Sequence, residues 1–364
     1  MPSFDIIRQT RPTKSFRVAS VRGTYDLQDE QITERFTGEI DLPNEWKVGL
    51  IVGASGTGKT TIARELFPES YVVQYDYCHD NILDDMPQER TMREIEMALT
   101  KAGLASIPLW LKPYSVLSNG EKMRCDIARA MLSDQSLIVF DEFTSVVDRD
   151  VAKVSSHVVQ KYIRSSDKQF IAVTCHYDVE QWLRPDWIFD TNTMTFRLGE
   201  GLKKNRPECR LDFYELRTSE QKQLAWSIFR KYHYLNHSLN PTAKVFVAEL
   251  NDKLCAMCAI LPFPHPRKRN FYKGSRTVVL PEYQGLNIGL HLINFVAEQM
   301  KQRHYGLITT TSNPARIAQL QHSTKWRATK GRARVSSGLG KIQNKYKRGS
   351  TSCDRYTSSF EYIG

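Results

Sequence analysis

Hydrophobic residues in the first half of the chain come in short, dense runs. Residues 48–52, 137–140 and 170–174 are apolar almost throughout and are bounded by polar or glycine-rich stretches. Runs of this length suit strands buried on both faces and are too short for buried helices. Residues 71–75 read as a further strand. Residues 61–67, 91–102 and 125–132 carry apolar side chains at helical spacing. Near the N-terminus, residues 15–24 and 35–40 alternate as strands around a polar turn, with Tyr25 ending the first. Residues 108–114 read as irregular, with Pro113 as a breaker. Strands interleaved with helices predict an α/β sheet domain.

The second half has another rhythm. Residues 211–217 alternate as a strand, and Thr218, Ser219, Glu220 and Gln221 form a capping box that opens a helix to about Tyr232. Residues 244–250 and 253–261 read as two strands joined at Asn251 and Asp252, a hairpin signal. Residues 262–272 read as a loop and 275–280 as a strand. Residues 289–303 form an amphipathic helix, with Leu290, Ile293, Val296, Ala297 and Met300 on one side. A strand at 306–311, a helix at 314–320 and a closing strand at 356–363 follow. This order predicts a mixed α+β domain.

Length and charge support two domains, placed at 1–200 and 208–364 with a linker at 201–207. Residues 1–200 hold 23 Lys/Arg against 30 Asp/Glu, a net of −7, and residues 201–364 hold 28 against 10, a net of +18. The chain total is +11. A sign change of that size suggests that the second half meets a polyanion, DNA or RNA. A solvated basic face is the plainer alternative. Residues 325–348 carry nine Lys/Arg and no acid, and read as a basic insertion suited to phosphate contacts. No apolar run is long enough to span a membrane and the N-terminus lacks a signal pattern, so a cytoplasmic location is expected. Seven cysteines without a framework fit a reducing compartment. Cys255 and Cys258 form a C-x-x-C, but they lie in an apolar run and read as core residues.

Chemistry enters at Gly53–Thr61, GASGTGKTT, which fits G-x-x-x-x-G-K-[ST] between a strand and a helix. Its glycines turn backbone N–H groups inward and the helix adds its positive end, which makes a phosphate cradle. Gly53, Ser55, Gly56, Thr57, Gly58 and Thr61 form the loop. Lys59 would reach the β- and γ-phosphates of ATP, and Thr60 would ligate Mg²⁺. The apolar strand at 137–140 ends in Asp141 and Glu142. The first acid would hold Mg²⁺ and the second would orient or deprotonate water. The strand at 170–174 leads to His176 at the same sheet edge, where ligands bind in open α/β sheets.

These motifs, with LSNGE at 117–121 and Asp148, resemble the ATP-binding-cassette (ABC) ATPase family over residues 15 to about 200. The resemblance implies that Tyr25 stacks on adenine, Gln74 senses the γ-phosphate, Glu142 is the general base and His176 the switch histidine. It also implies a head-to-tail homodimer in which Ser118, Asn119, Gly120 and Glu121, with Asp148, close over a nucleotide held by the other copy. The chain departs from LSGGQ at Asn119 and Glu121. Glu121 resembles the DNA-repair and chromosome-maintenance branch, and the short span from Lys59 to Ser118 implies a reduced helical subdomain. Both argue against a transporter subunit, which stays the third reading.

The second half resembles the GNAT acyltransferase superfamily. The matching segment is residues 277–289, whose Gln284 to Gly289 fits [RQ]-x-x-G-x-[GA] with Asn287 in place of the central Gly. The resemblance implies acyl-CoA as donor: Val278 and Leu280 would offer backbone groups to the pantetheine arm, and Gln284, Gly285, Leu286, Asn287, Ile288 and Gly289 would hold the pyrophosphate. Asn313 matches the Asn that often opens the last helix, while Gln319 to His322 stand where a Tyr general acid is usual. Tyr232, His233 and Tyr234 lie where an acceptor site forms, and either hold a base or pack an aromatic helix end onto the sheet. That segment is also similar to Mom-type DNA-modifying proteins of phages. The first expectation is an ATPase coupled to acyl transfer onto nucleic acid, in an architecture of phage or archaeal type. The second is an ATP-switched nucleic-acid binder with an inactive acyltransferase-like domain.

Overall fold

The computed structural model describes residues 3–10, 15–25, 32–72, 75–202, 210–233, 238–264, 269–334 and 356–364. Contacts divide the chain into two units. One comprises Met1–Tyr75, Asp134–Val146 and Gln160–Asn205; the other comprises Asp76–Ser133, Val147–Val159 and Arg206–Gly364.

In chain order the first elements are β1 (Ser3–Thr10), α1 (Phe16–Tyr25), β2 (Ile32–Glu39), β3 (Val48–Val52), α2 (Lys59–Leu66) and β4 (Tyr71–Val72). Next come α3 (Met92–Lys101), α4 (Ile107–Trp110), α5 (Asn119–Leu132), β5 (Leu137–Phe140) and α6 (Arg149–Arg164). Then follow β6 (Gln169–Thr174), α7 (Val179–Leu183), β7 (Trp187–Asp190) and β8 (Thr195–Leu198). The remainder is β9 (Leu211–Leu216), α8 (Ser219–Phe229), β10 (Lys244–Leu250), β11 (Lys253–Pro262), β12 (Phe271–Val279), α9 (Ile288–Gln302), β13 (Gly306–Thr311), α10 (Pro314–Gln321), β14 (Trp326–Arg334) and β15 (Tyr356–Tyr362).

The first unit is built on a six-stranded sheet in the order β4-β5-β6-β3-β7-β8, parallel except for the β7–β8 pair. Its apolar runs are the central strands, and every residue of β3 is buried. Burial on both faces is why these strands read as unbroken apolar stretches. Asp186 anchors the edge of this core. Its buried carboxylate accepts the N–H groups of Lys47 and Val48 at 2.7 and 3.0 Å and meets the Arg164 guanidinium at 2.9 Å.

Two N-terminal expectations are corrected. The strand that pairs with β2 is β1, antiparallel from Ser3↔Glu39 to Thr10↔Ile32. Residues 15–24 are not a strand but most of helix α1. Val18, Val21 and Tyr25 recur at spacings of three and four, which fit a helix and not the period of two of a strand. Residues 108–114 are also more regular than expected, with α4 and a 3-10 turn at Tyr114–Val116. Of the linker expected at 201–207, residues 203–207 lie outside the described residues, after a 3-10 turn at Glu200–Leu202.

The second unit holds a seven-stranded sheet in the order β14-β15-β13-β12-β11-β10-β9. The β10–β11 hairpin turns through Asn251 and Asp252, both with positive φ (50° and 63°), as a two-residue turn requires. All neighbouring pairs are antiparallel except β12–β13, which pair in parallel only at Phe271–Lys273 and Gly306–Ile308. Beyond those residues the two strands part, and the C-terminal ends of β12 and β13 have no ladder between them. α9 covers one face, burying Ile288, Leu292, Ile293, Val296, Ala297 and Met300. α8 covers the other, through Ala225, Trp226 and Phe229.

The basic segment 325–348 is likewise corrected in part. Residues Trp326–Arg334 are strand β14, paired with β15, and Trp326 is buried against Tyr362. An apolar Trp at its start and a partner strand near the C-terminus draw this stretch into the sheet. Residues 335–348 lie outside the described residues. Among the described residues no helix is long and apolar enough to cross a membrane.

The close fit of β3 against β7 is testable. A Cβ at Gly49 would lie 2.2 Å from Cζ2 of the fully buried Trp187. Gly49→Ala is expected to destabilise the fold by about 1–3 kcal/mol, the usual cost of overpacking. Urea unfolding should show a lower midpoint; an unmoved midpoint would mean that the indole has room to shift.

Candidate functional site

The C-terminal ends of β3, β5 and β6 bring together the first group of predicted residues. Gly56 and Gly58 both have φ of 84° and take the left-handed turns that aim the loop's N–H groups inward. A side chain at Gly58 would meet Phe36 at 2.5 Å, and one at Gly53 would meet Thr191 at 2.1 Å. The first internal bond of α2 runs from the Ile62 N–H to the Gly58 carbonyl, at 2.8 Å. Among the described residues, the amides of Ser55 to Thr61 donate to no protein acceptor. Lys59 is 8% exposed and its Nζ reaches the Ala54 carbonyl at 2.7 Å. The loop therefore presents a row of open donors and one ammonium group, which fits a chain of phosphates.

Thr60 and Asp141 are brought together: the Thr60 hydroxyl donates to Asp141 Oδ2 at 2.8 Å. This hydroxyl–carboxylate pair is the donor set that would take a magnesium ion beside a phosphate. Glu142 is exposed and has φ of 51°, and its N–H donates to Asp141 Oδ1 at 2.9 Å. Thr144 has φ of 67°, is fully buried, and its hydroxyl has no partner among the described residues. A β-branched residue in the left-handed region is costly, so the turn after β5 holds strain where the carboxylates are presented. His176 follows β6, with its N–H on the Thr174 hydroxyl at 3.2 Å.

Three supporting residues escape the motif. Asn192 accepts the Ala54 N–H at 3.0 Å, and Thr191 shares a 2.5 Å hydrogen bond with Thr57. Both follow β7, far away in sequence. The Tyr71 hydroxyl donates to Asp141, and burial together with that carboxylate pushes its pKa up to about 12. It therefore stays a donor at neutral pH. The other predicted contacts to nucleotide are less gathered. Tyr25 ends α1 with its ring exposed, and Gln74 lies outside the described residues.

In the second unit Ser118 is the N-cap of α5. The Glu121 carboxylate accepts both the Ser118 N–H, at 2.8 Å, and its hydroxyl, at 2.9 Å. Ser118 and Asn119 are exposed, Gly120 and Glu121 partly so. Asp148 caps α6, accepting the Val151 N–H at 3.0 Å.

The loop before α9 repeats the design of the first. Gly285 has φ of 89° and Asn287 of 63°. The amides of Gly285, Leu286, Asn287, Ile288 and Gly289 donate to no protein acceptor among the described residues. Gln284 does not face this cradle as a free side chain. Its Nε2 donates to the Val279 carbonyl at 3.0 Å and its Oε1 accepts the Ala105 N–H at 2.8 Å. Asn287 accepts from Gln319 at 3.0 Å, and Asn313 caps α10 through the Arg316 N–H at 2.9 Å. Val278 is buried on β12. Leu280 has both backbone groups engaged, its N–H with Cys255 and its carbonyl with Tyr283.

Arg316 was not anticipated. Its Nη1 lies 3.5 Å from where a Cβ on Gly289 would sit, and no carboxylate pairs with it among the described residues. Burial brings its pKa down to about 10, still charged at neutral pH. Its place one turn after Asn313 was the available signal. On the opposite sheet face, His233 is buried and packs edge-on against Trp226 at 6.0 Å, with Arg276 over the same indole at 5.3 Å. Tyr232 is partly exposed, and Tyr234 lies outside the described residues. Cys255 and Cys258 are free thiols buried in β11.

The family model for the acetyltransferase (GNAT) family matches residues 209–321. An uncharacterized ABC transporter ATP-binding protein of Haemophilus influenzae is 30% identical over 174 residues, covering 39% of this chain and 68% of that protein. A second, from Bacillus subtilis, is 27% identical over 213 residues, covering 51% of this chain but only 38% of its own length. A solved dimeric bacterial ABC transporter cassette is 16% identical, with a TM-score of 0.35 over 51% of this chain and 94% of its own.

The support from β7 makes a prediction. Asn192→Ala leaves the Ala54 N–H without its acceptor and loosens the loop. Loss of one such bond, worth about 1 kcal/mol, is expected to weaken binding of a fluorescent ATP analogue about fivefold. An unchanged Kd would show that Asn192 does not hold the loop.

Proposed function

We propose that this chain, which belongs to the ATP-binding-cassette ATPase family and carries a GNAT acetyltransferase domain at residues 209–321, couples ATP hydrolysis to acyl transfer. The observation that carries the proposal is the presence of two cradles of open amides in one chain. Each follows a left-handed turn and opens a helix, and each has a cation beside it: Lys59 for the first, Arg316 for the second.

In this reading the amides of Ser55 to Thr61 and Lys59 grip the phosphates of ATP. Thr60 and Asp141 hold Mg²⁺, which screens the phosphate charge. Glu142 takes the proton of the attacking water and His176 contacts the γ-phosphate. Two copies associate head to tail, and Ser118, Asn119 and Gly120 of one close over the nucleotide held by the other. In the second cradle the amides of Gly285 to Gly289, with Arg316, hold the pyrophosphate of an acyl-CoA. An acceptor amine attacks the thioester carbonyl; a C–N bond forms, the C–S bond breaks, and the amine proton leaves with the thiol.

The acceptor we propose is nucleic acid. The second half carries a net charge of +18, which suits contact with a polyanion. One observation favours a second reading, a nucleotide-switched binder without transfer. Gln319, Leu320, Gln321 and His322 stand where the family's Tyr general acid would, and Leu320 is fully buried.

Nucleosides from cells expressing the protein, analysed by mass spectrometry, separate the two. Transfer predicts an acylated nucleoside that disappears with Asn287→Trp, which fills the donor cradle. It also predicts that Glu142→Gln lowers ATP turnover by at least about 100-fold, the scale of a lost general base, while leaving ATP binding intact. Unmodified nucleosides from a protein that binds DNA in an ATP-dependent way would support the second reading instead.

A further inference from the structure

The donor cradle rests on α3, the turn that follows it and α6, within the unit that also holds Ser118. Gln284 fixes the cradle at one end to β12 and at the other to the Ala105 N–H, in the turn after α3. Gly103 in that turn has φ of 88°, which favours glycine, and little room for a side chain. A Cβ there would lie 3.0 Å from the Gln284 carbonyl oxygen and 3.1 Å from Cδ of Arg124. Gly285 is pressed as closely: a Cβ would meet Val158 at 2.6 Å and the Lys101 carbonyl at 3.3 Å. The turn 103–105 is thus wedged between α5 and the donor cradle, and neither can shift without pushing the other.

Arg124, in the second turn of α5, is the unbalanced element of this contact. It is 4% exposed, and its Nε and Nη1 have no hydrogen-bond partner among the described residues. The carboxylates around it are Glu121, Glu282 and Asp148. Glu121 is committed to Ser118 and Asp148 to the α6 cap. Glu282 lies on the 3-10 turn Pro281–Tyr283 that leads into the donor cradle. A buried guanidinium with open N–H groups is costly, so an arrangement that pairs it is favoured.

We propose that ATP engagement at Ser118 and donor engagement at Gly285–Gly289 are coupled through Arg124 and the 103–105 wedge. Movement of the start of α5 pairs Arg124 with Glu282 and resets the donor cradle, so each ligand changes the affinity for the other. The proposal rests on reading both loops as phosphate sites. Because binding free energies are linked, the effect is reciprocal.

Calorimetry on the full chain tests it. Coenzyme A is titrated into the Glu142→Gln protein with and without saturating Mg-ATP, and ATP binding is verified by the same method. The expected shift in the coenzyme A Kd is about fivefold or more, the lower end of measured couplings. Adding Glu282→Gln should leave the nucleotide-free Kd within about twofold and remove most of the shift. Ala105→Pro, which deletes the donor to Gln284, should remove it independently. If both ligands bind and the Kd is the same in both states, or if Glu282→Gln keeps the full shift, the coupling is overturned. If coenzyme A does not bind in either state, the donor reading itself fails, and the coupling with it.

Discussion

A helix begins with N–H groups that its own backbone cannot satisfy, and this chain twice leaves them unsatisfied on purpose-shaped turns. At Ser55–Thr61 and again at Gly285–Gly289, a strand ends, one or two residues take positive φ, and the following amides converge without a protein acceptor. Side-chain capping would remove the need for a ligand at these points. Neither turn has it: Gly58 has no side chain to offer, and the Asn287 amide accepts from Gln319 instead of capping α9. The sheet around each turn is arranged to keep this opening in place.

The two cradles are braced differently. In the first, the brace comes from neighbouring strand ends: Asn192 and Thr191 after β7, Phe36 beneath Gly58, and Tyr71 on Asp141. Each contact is short in space and distant in sequence, as expected in a parallel sheet whose strand ends share one edge. In the second, the brace is a pair of glutamines. Gln284 ties the loop to β12 and to Ala105, and Gln319 ties it to α10. β12 and β13 part after three paired residues, so their C-terminal ends leave backbone edges beside this loop.

Legibility in the sequence follows from this difference. The apolar runs of the first half announced β3, β5 and β6 because strands buried on both faces must be apolar throughout. The capping boxes announced α8, and the turn residues the β10–β11 hairpin. The phosphate loop and the Asp141–Glu142 pair could be read because their chemistry is contiguous. Asn192, Thr191 and Tyr71 could not, since nothing local marks a side chain that works at 70 to 138 residues' distance. Segment 15–24 misled because Phe16 and Val18 alternate as in a strand, while Val18, Val21 and Tyr25 keep helical spacing. β14 was hidden in a run of cations whose pairing depends on a strand near the C-terminus.

Glu121 shows how one residue carries a local and a longer-range meaning. Ser118, Asn119, Gly120 and Glu121 form a Ser-x-x-Glu box, and the carboxylate takes both the N–H and the hydroxyl of Ser118. Local capping is a sufficient physical reason for an acid there, independent of any family branch. The same contact has a consequence for the proposed composite site. A serine hydroxyl has one proton to donate, and here Glu121 receives it. For Ser118 to donate to a phosphate, the carboxylate must be released, and it would otherwise place negative charge beside the incoming anion. The coupling proposed above needs the freed Glu121 to stay off Arg124, one turn along the same helix, so that the open Nε and Nη1 can pair with Glu282. A competition between Glu121 and Glu282 for Arg124 would then decide how far the start of α5 moves. In the proposed coupling, Glu121, where the chain departs from LSGGQ, would set the strength of the link between the two cradles.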